Sequence, residues 1–131
     1  MIIKSEKLVQ NKPMDKLVPE WQIDTCTSTV KHIEETTQFH TSYVADHLRY
    51  SVNYNPQRLQ RLVDNGKIIE YLDDIETSAS KAVDRQVELW KSDSKEYKLA
   101  VVNGDTLKQV GLLNSLEAMA KEIVYKNIIN V

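Results

Sequence analysis

Four carboxylates crowd into residues 70–76 of the sequence: Glu70, Asp73, Asp74 and Glu76. Carboxylates can hold a metal ion when ligands converge from two or more elements, as they do in di-iron helical bundles. On a helical wheel, Glu70 and Asp74 lie nearly opposite the apolar stripe of their segment, and no histidine stands three or four residues away. We therefore expect a solvated face at a helix start, where negative charge favours the helix dipole. A protein partner would bind this acidic face through Glu70, Asp73 and Asp74.

The histidines and the single cysteine give little support to a metal site or a nucleophile. His40 and His47 are seven residues apart and would share one helix face as satisfied, partly buried side chains. Zinc on one helix prefers the four-residue spacing of His-Glu-x-x-His, and a catalytic zinc needs a third ligand. Cys26 and His32 would have to join from another element, and no family signature surrounds Cys26. We expect no enzyme, no catalytic residue, no metal and no cofactor.

A DNA-binding alternative rests on residues 49–67, where positive charges outnumber negative ones. Two short helices joined near Asn55 and Pro56 would resemble a helix-turn-helix, whose second helix reads base edges. A chain with a net charge of −2 and few cations here neutralises few phosphates, which limits its affinity for DNA. Under this alternative the contacting residues are Arg49, Gln57, Arg58, Gln60, Arg61 and Lys67.

The elements that position these residues are predicted to be mainly α-helical. Residues 1–35 are interpreted as an irregular N-terminal arm with room for one short strand, because they carry no clean period. Apolar residues at helical spacing predict helices over residues 36–52, 56–64, 67–97 and 106–129. Asn55-Pro56 is a helix start signal, and Gly66 supplies a left-handed residue that ends the second helix. The expected fold is a small helical bundle formed by residues 36–131 as a single domain, with a C-terminal antiparallel helical hairpin.

Composition narrows the class of protein further. A chain of 131 residues with 41% apolar residues can form one modest core. The N-terminus has no apolar run long enough for a signal peptide or a membrane span, so we expect a cytoplasmic protein without membrane contact. The last helix is apolar over more than half of its circumference. Either the long helix or a second copy, in a homodimer, would cover that face.

Two groups of residues from Tyr43 to the C-terminus form a recognisable pattern. The first group consists of Tyr43, Arg49, Tyr50, Pro56, Gly66, Lys67, Tyr71 and Leu72. The second, in and just before the last helix, consists of Asp105, Leu107, Val110, Asn114, Leu116, Ala120, Glu122, Ile123, Val124 and Ile129. In these residues the sequence resembles the TnpV-like proteins encoded in transposons and other integrative elements of Gram-positive bacteria. Gln109 stands where that family has a tryptophan, Ile68 replaces a leucine, and the N-terminal arm is longer than usual.

The resemblance implies an origin in a mobile genetic element and supplies no catalytic residue. Small proteins of such elements typically act by binding. We therefore predict a non-enzymatic accessory protein that binds a protein of the host or of the element, such as a nucleic-acid enzyme. In an anti-CRISPR version the partner is a Cas nuclease, and the acidic face competes for its positively charged channel. The alternative is a small DNA-binding regulator of transposition, similar to an excisionase or a repressor.

Overall fold

The computed structural model describes residues 1–11 and 16–131, in which a β-rich N-terminal region precedes five α-helices. The strands are β1 (Ile2–Lys4), β2 (Leu8–Asn11), β3 (Lys16–Pro19), β4 (Trp21–Asp24), β5 (Thr29–His32) and β6 (Glu35–Gln38). The helices are α1 (Ser42–Tyr54), α2 (Pro56–Asp64), α3 (Ile68–Asp93), α4 (Lys95–Val102) and α5 (Thr106–Val124). A C-terminal π turn (Tyr125–Ile129) continues α5.

The prediction of a mainly α-helical bundle, preceded by an irregular arm with at most one short strand, is wrong. Four strands form an antiparallel sheet in the order β1-β4-β5-β6, and β2 pairs with β3 in a second, two-stranded sheet. Ile23 of β4 pairs with Ile3 on one side and with Val30 on the other. Residues 12–15 of the predicted arm lie outside the described residues. The described fold is therefore α+β.

The strands were not predicted because they are short and because the turns around β5 lack the glycine or asparagine that usually marks a tight turn. β1, β4 and β5 each bury a single side chain, namely Ile3, Ile23 and Val30. One inward residue per strand is too little for a two-residue alternation to stand out. The turns before and after β5 place Ser28 (φ 56°) and Ile33 (φ 58°) in the left-handed region. Glycine or asparagine normally marks such positions, so the sequence carries no turn signal there.

The helices follow the predicted pattern in part. α2 begins at Pro56 and Gly66 has a φ of 69°, which confirms both signals. The predicted first helix begins too early, because residues 36–38 belong to β6. The predicted long helix is interrupted at Ser94, whose hydroxyl accepts a hydrogen bond from the Tyr97 N–H at 3.1 Å and caps α4. Asp105 caps α5 in the same way, since its carboxylate accepts a hydrogen bond from the Lys108 N–H at 3.1 Å.

Two apolar clusters hold these elements together. The first joins the sheet to α1, α2 and the start of α3, and contains Ile3, Ile23, Val30, Phe39, Val44, Leu48, Leu59, Val63, Ile68 and Leu72. The second lies where α5 and the π turn return along α3, and contains Ala79, Val83, Val87, Ala120, Val124 and Ile129. The first cluster takes residues from both sides of the predicted boundary at residue 36. The division of the chain there stays a prediction.

Gly66 lies where the sheet meets the helices. A Cβ atom at this position would lie 2.8 Å from Nε1 and 3.1 Å from Cε2 of Trp21. The Trp21 indole is itself stacked on His32, with ring centroids 4.0 Å apart and planes 12° apart. The glycine therefore combines a left-handed backbone with a close approach to a large, fixed side chain.

Candidate functional site

A buried polar network links α1, α3 and the π turn around His47, which is 1% exposed. Its Nδ1 lies 2.6 Å from the carbonyl oxygen of Ile129, so Nδ1 carries a proton and donates it. Its Nε2 lies 2.7 Å from the hydroxyl of Tyr71, which therefore donates to the imidazole. The Arg58 guanidinium lies 5.9 Å from the centre of the Tyr71 ring, and a cleft of about 450 Å³ opens beside the three side chains.

A tyrosine hydrogen-bonded to a histidine has the geometry of an activated nucleophile, but the environment opposes that chemistry. Burial raises the pKa of Tyr71, although Arg58 acts in the opposite direction. Burial also lowers the pKa of His47, and Arg58 adds to that effect. Both shifts disfavour the phenolate and imidazolium that proton transfer would create. The network satisfies buried polar groups and fixes the C-terminal turn against α1.

A second cleft, of about 520 Å³, lies between α1 and the end of the chain. Tyr50 and Tyr54 line it with ring centroids 4.7 Å apart, and Tyr54 is 73% exposed. The Tyr125 hydroxyl donates to Asp46 at 2.5 Å, and Asp46 lies 3.5 Å from Arg49. Burial, together with Asp46, raises the pKa of Tyr125, so this tyrosine is no acid–base group near neutral pH. Tyr125, with its raised pKa and its hydrogen bond to Asp46, is therefore held in the protonated form in this cleft.

The predicted acidic face lies on the exposed side of α3, as the helical wheel predicts. Glu70, Asp73 and Asp74 are exposed in the first two turns of α3. Asp74 also borders the cleft beside Tyr71. Glu76 is half-buried at the edge of the apolar stripe and accepts a hydrogen bond from the Thr41 hydroxyl at 3.2 Å. Partner binding by the three exposed carboxylates stays a prediction.

The structure divides the residues predicted to contact DNA into two groups. Arg58 donates to the carbonyl oxygen of Val131 at 2.7 Å and to the Ser51 hydroxyl at 2.8 Å. Gln60 donates to the carbonyl oxygen of Lys4 at 2.8 Å, which ties α2 to β1. Both side chains are thus engaged within the chain. The exposed members of the set are Arg49, Gln57, Arg61 and Lys67.

The remaining candidate ligands do not converge. His40 precedes α1 and is exposed, so it does not share a helix face with His47 as predicted. Cys26 is a free, exposed thiol. Among residues 1–11 and 16–131, no group of three His, Cys, Asp or Glu side chains could hold a metal ion. The absence of an enzymatic function stays a prediction.

Large apolar side chains are exposed on both sides of the turn between α4 and α5. We call this surface the hairpin tip, and it consists of Leu99, Val101, Val102, Leu107 and Val110. Val102 is 81% exposed and Leu107 is 88% exposed. Gln109, which replaces the tryptophan of the resemblance, donates to the carbonyl oxygen of Ala100 at 3.1 Å and ties α5 to α4. Sequence reasoning missed the tip, although an apolar run that enters an Asn-Gly turn is a visible sign of it.

The comparisons with known proteins identify the family. The family model of the transposon-encoded protein TnpV matches residues 15–129. The chain belongs to the TnpV family. The predicted resemblance is thus confirmed, and the TnpV match includes the His47 network, the acidic face and the hairpin tip. β1 and β2 precede the match.

No curated protein and no solved structure matches this TnpV-family chain. None of the described helices is long and apolar enough to cross a membrane.

Proposed function

We propose that this TnpV-family protein is a non-enzymatic accessory protein of a mobile element, which acts in the host cytoplasm by binding a protein. The observation that carries the proposal is the hairpin tip, where Val102 and Leu107 are 81% and 88% exposed. The five side chains of the tip present an apolar patch on the order of a few hundred Å², the size at which patches on monomers mark interaction sites.

The arrangement of the tip suits a groove on a partner protein. Leu99 and Val102 are three residues apart on α4, and Leu107 and Val110 are three residues apart on α5. Each helix therefore presents two neighbouring anchors on one side. Helices that bind in grooves use anchors at this spacing. The partner in this proposal is a nucleic-acid enzyme of the element or of the host, and inhibition of a Cas nuclease is its most specific form.

The acidic face would act separately from the tip. Asp74 and the C-terminal end of α3 are about 28 Å apart along the helix, at 1.5 Å per residue. One contact of ordinary size, about 800 Å² per partner, would not be centred on both surfaces. Exposed carboxylates at that distance from the anchors would mainly raise the association rate with a positively charged partner.

The test is an affinity purification from nuclease-treated host lysate, followed by a binding measurement with the purified candidate. Val102→Lys/Leu107→Lys places two charges in the tip without touching a buried residue. Glu70→Ser/Asp73→Ser/Asp74→Ser removes the acidic face. We expect the tip variant to lose the partner and the acidic-face variant to retain most of the affinity while associating more slowly.

Three results would count against the proposal. Retention of the partner by the tip variant would exclude the tip as the binding surface. If only the acidic-face variant lost the partner, the binding surface would be the acidic face on α3 and not the tip. Capture that disappears on nuclease treatment would indicate that nucleic acid, not protein, is bound.

The DNA-binding alternative retains four exposed side chains, Arg49, Gln57, Arg61 and Lys67. Because Arg58 and Gln60 are engaged within the chain, the set neutralises at most a few phosphates and predicts a shallow salt dependence. A mobility-shift assay with element-end DNA near physiological salt tests it. No complex with the wild-type protein would end this alternative, whereas a complex lost in Arg61→Ala would favour it.

A further inference from the structure

The cleft beside Tyr50 and Tyr54 is one end of a longer groove between α1 and the chain that forms α5 and the π turn. This cleft, of about 520 Å³, and a neighbouring cleft of about 730 Å³ share Asp46, Tyr125 and Asn130 in their walls. We call the two clefts together the α1 groove. On α1 it is lined from Ser42 to Tyr54 by residues three or four apart, which therefore lie on one side of the helix.

One end of the α1 groove presents an aromatic surface. The rings of Tyr50 and Tyr54 lie with their centroids 4.7 Å apart and their planes tilted by 33°. Tyr54 is 73% exposed, so Tyr50 covers only part of its ring. Planar bases stack on open aromatic rings of this kind, whatever the sequence of the strand that carries them.

Two amide side chains lie beside this aromatic surface. Asn53 on α1 and Asn130 after the π turn both line the cleft and are exposed. Neither side-chain amide makes a hydrogen bond with any residue that the structure describes. Each amide offers one acceptor and two donors, and the edges of nucleobases present donors and acceptors that can pair with them.

The α1 groove has more positive than negative side chains, although the chain as a whole has a net charge of −2. The carboxylate of Asp46 is already engaged, because it accepts from the Tyr125 hydroxyl and lies 3.5 Å from Arg49. Among the described residues, the ion pairs include neither of the groove's two lysines. A local excess of cations favours the phosphates of a nucleic-acid backbone. The cations are Arg49, Lys121 and Lys126, and the carboxylates are Asp46 and Glu122.

We propose that the α1 groove binds a short segment of single-stranded nucleic acid, with one base stacked on Tyr54. Asn53 and Asn130 bond the edges of the bases, and Lys121 and Lys126 meet the backbone phosphates. The groove extends about 18 Å along α1, at 1.5 Å per residue. At about 3.4 Å per nucleotide in a stacked strand, this length holds about five nucleotides. The strand is single because a base inside a duplex is covered on both faces and reaches a protein ring only after it leaves the stack.

The charges favour nucleic acid over the other ligand that grooves lined by tyrosine accept, a proline-rich peptide. A peptide backbone carries no charge and would leave Lys121 and Lys126 without a partner. The inference does not rest on the proposed protein binding, because the α1 groove and the hairpin tip share no residue. It also differs from the duplex alternative, in which Gln57, Arg61 and Lys67 contact DNA outside the groove.

Fluorescence anisotropy with a labelled single-stranded oligonucleotide of about ten nucleotides tests the inference at about 50 mM salt. The wild-type protein should bind with a Kd between about 1 and 100 µM, and a duplex of the same sequence should bind at least about fivefold more weakly. Tyr54→Ala should raise the Kd at least about fivefold, the low end of what the loss of one stacked base costs. Tyr54→Phe keeps the ring and Arg61→Ala lies outside the groove, so both should bind like the wild type.

The salt dependence identifies the cations that meet phosphates. For single strands the slope of log Kd against log salt concentration is about 0.7 per phosphate neutralised, so the three cations of the groove give a slope of up to about 2. Lys126→Gln should lower the slope by about 0.7, whereas Lys67→Gln, outside the groove, should leave it unchanged.

Photo-cross-linking locates the strand without any substitution. A single-stranded oligonucleotide that carries iodouracil should cross-link to Tyr50 or Tyr54, and mass spectrometry of the digested complex identifies the residue. Cross-links confined to residues outside the groove would overturn the inference. So would a wild-type protein that binds no single strand at about 300 µM, above the weakest affinity expected, or a Tyr54→Ala variant that binds as tightly as the wild type. Binding of a polyproline peptide in place of the oligonucleotide would assign the groove to a peptide ligand.

Discussion

Replacing Gly66 by alanine should destabilise the protein through two separable effects. The first is the left-handed backbone at φ 69°, which costs a non-glycine residue about 1–2 kcal/mol. The second is the added methyl group, which would lie 2.8 Å from Nε1 of Trp21 and force the indole to move from its stack on His32. Overpacking of this kind costs about 1–3 kcal/mol. The expected loss is therefore about 2–5 kcal/mol.

Gly104 provides the matched control within the same chain. Its φ is 66°, nearly that of Gly66, but no atom beyond its two chain neighbours lies within 4 Å of a Cβ placed there. Gly104→Ala should therefore cost only the backbone term, about 1–2 kcal/mol. Urea unfolding followed by far-UV circular dichroism measures both variants, and the difference between them isolates the contact with Trp21.

The contact can be tested further with a double-mutant cycle. Trp21→Phe removes the indole atoms that a Cβ at residue 66 would meet. In the Trp21→Phe background the cost of Gly66→Ala should fall to that of Gly104→Ala. The reasoning is refuted if Gly66→Ala and Gly104→Ala cost the same within about 0.5 kcal/mol, or if the cost of Gly66→Ala is unchanged without the indole.

Three further predictions concern the network around His47. The pKa of His47 is lowered in the folded state, so below about pH 6.5 the unfolded chain binds a proton that the folded chain excludes. The free energy of unfolding should therefore be constant above about pH 7.5. Below about pH 6.5 it should fall by up to ~1.4 kcal/mol per pH unit, until the pH reaches the pKa of His47 in the folded state. Urea unfolding across this range should show the slope in the wild type and in the exposed control His40→Gln, and a retained slope in His47→Gln would contradict the assignment. Tyr71→Phe removes the hydroxyl that donates to Nε2 of His47, and it should lower the free energy of unfolding by about 1–2 kcal/mol at pH 7.5. A loss near zero would show that Nε2 does not need this hydrogen bond. Arg58→Ala should lower the free energy of unfolding by about 2–3 kcal/mol, because it removes hydrogen bonds made by a charged group. Arg61→Ala, on the exposed side of α2, should change it by less than about 0.5 kcal/mol. Equal costs for the two variants would contradict the placement of Arg58.

The helical half of the fold was predictable because its signals are local and repeated. Pro56 at a helix start and Gly66 at a helix end each act through the neighbouring backbone, and both lie where the sequence predicts them. The break at Ser94 was missed because apolar spacing continues across it. A single serine is a weaker sign of a helix boundary than a continuous apolar stripe is of an unbroken helix.

The sheet was unpredictable for a different reason. Its strands are three or four residues long, and each depends on neighbours elsewhere in the chain for its buried residue. Residues with a positive φ in the tight turns, such as Ile33, contradict the local preference of their side chains. The Ile33 N–H donates to the carbonyl oxygen of Glu20 at 3.2 Å, so its conformation depends on a contact 13 residues away that no short window of sequence contains.

The position of the acidic face could be predicted from the sequence. The exposed hairpin tip could not, because its exposure depends on how the helices pack. Whether Leu107 is buried or exposed depends on what covers α5, and helical periodicity is the same in both cases. His47 was expected to be a satisfied histidine, and it is one. Its partners, the Ile129 carbonyl and the Tyr71 hydroxyl, lie 82 and 24 residues away, beyond any motif.

The length of those connections has a consequence for the order of folding. Three of the four strand pairs, β2–β3, β4–β5 and β5–β6, join strands that follow each other closely in the chain. By contrast, the bonds from His47 to Ile129 and from Tyr125 to Asp46 close loops of about 80 residues. Closing such loops costs chain entropy that only the nearly complete structure repays. We expect Tyr125→Phe to accelerate unfolding and leave the folding rate unchanged in stopped-flow measurements, and slower folding would show that the groove between α1 and the π turn forms early.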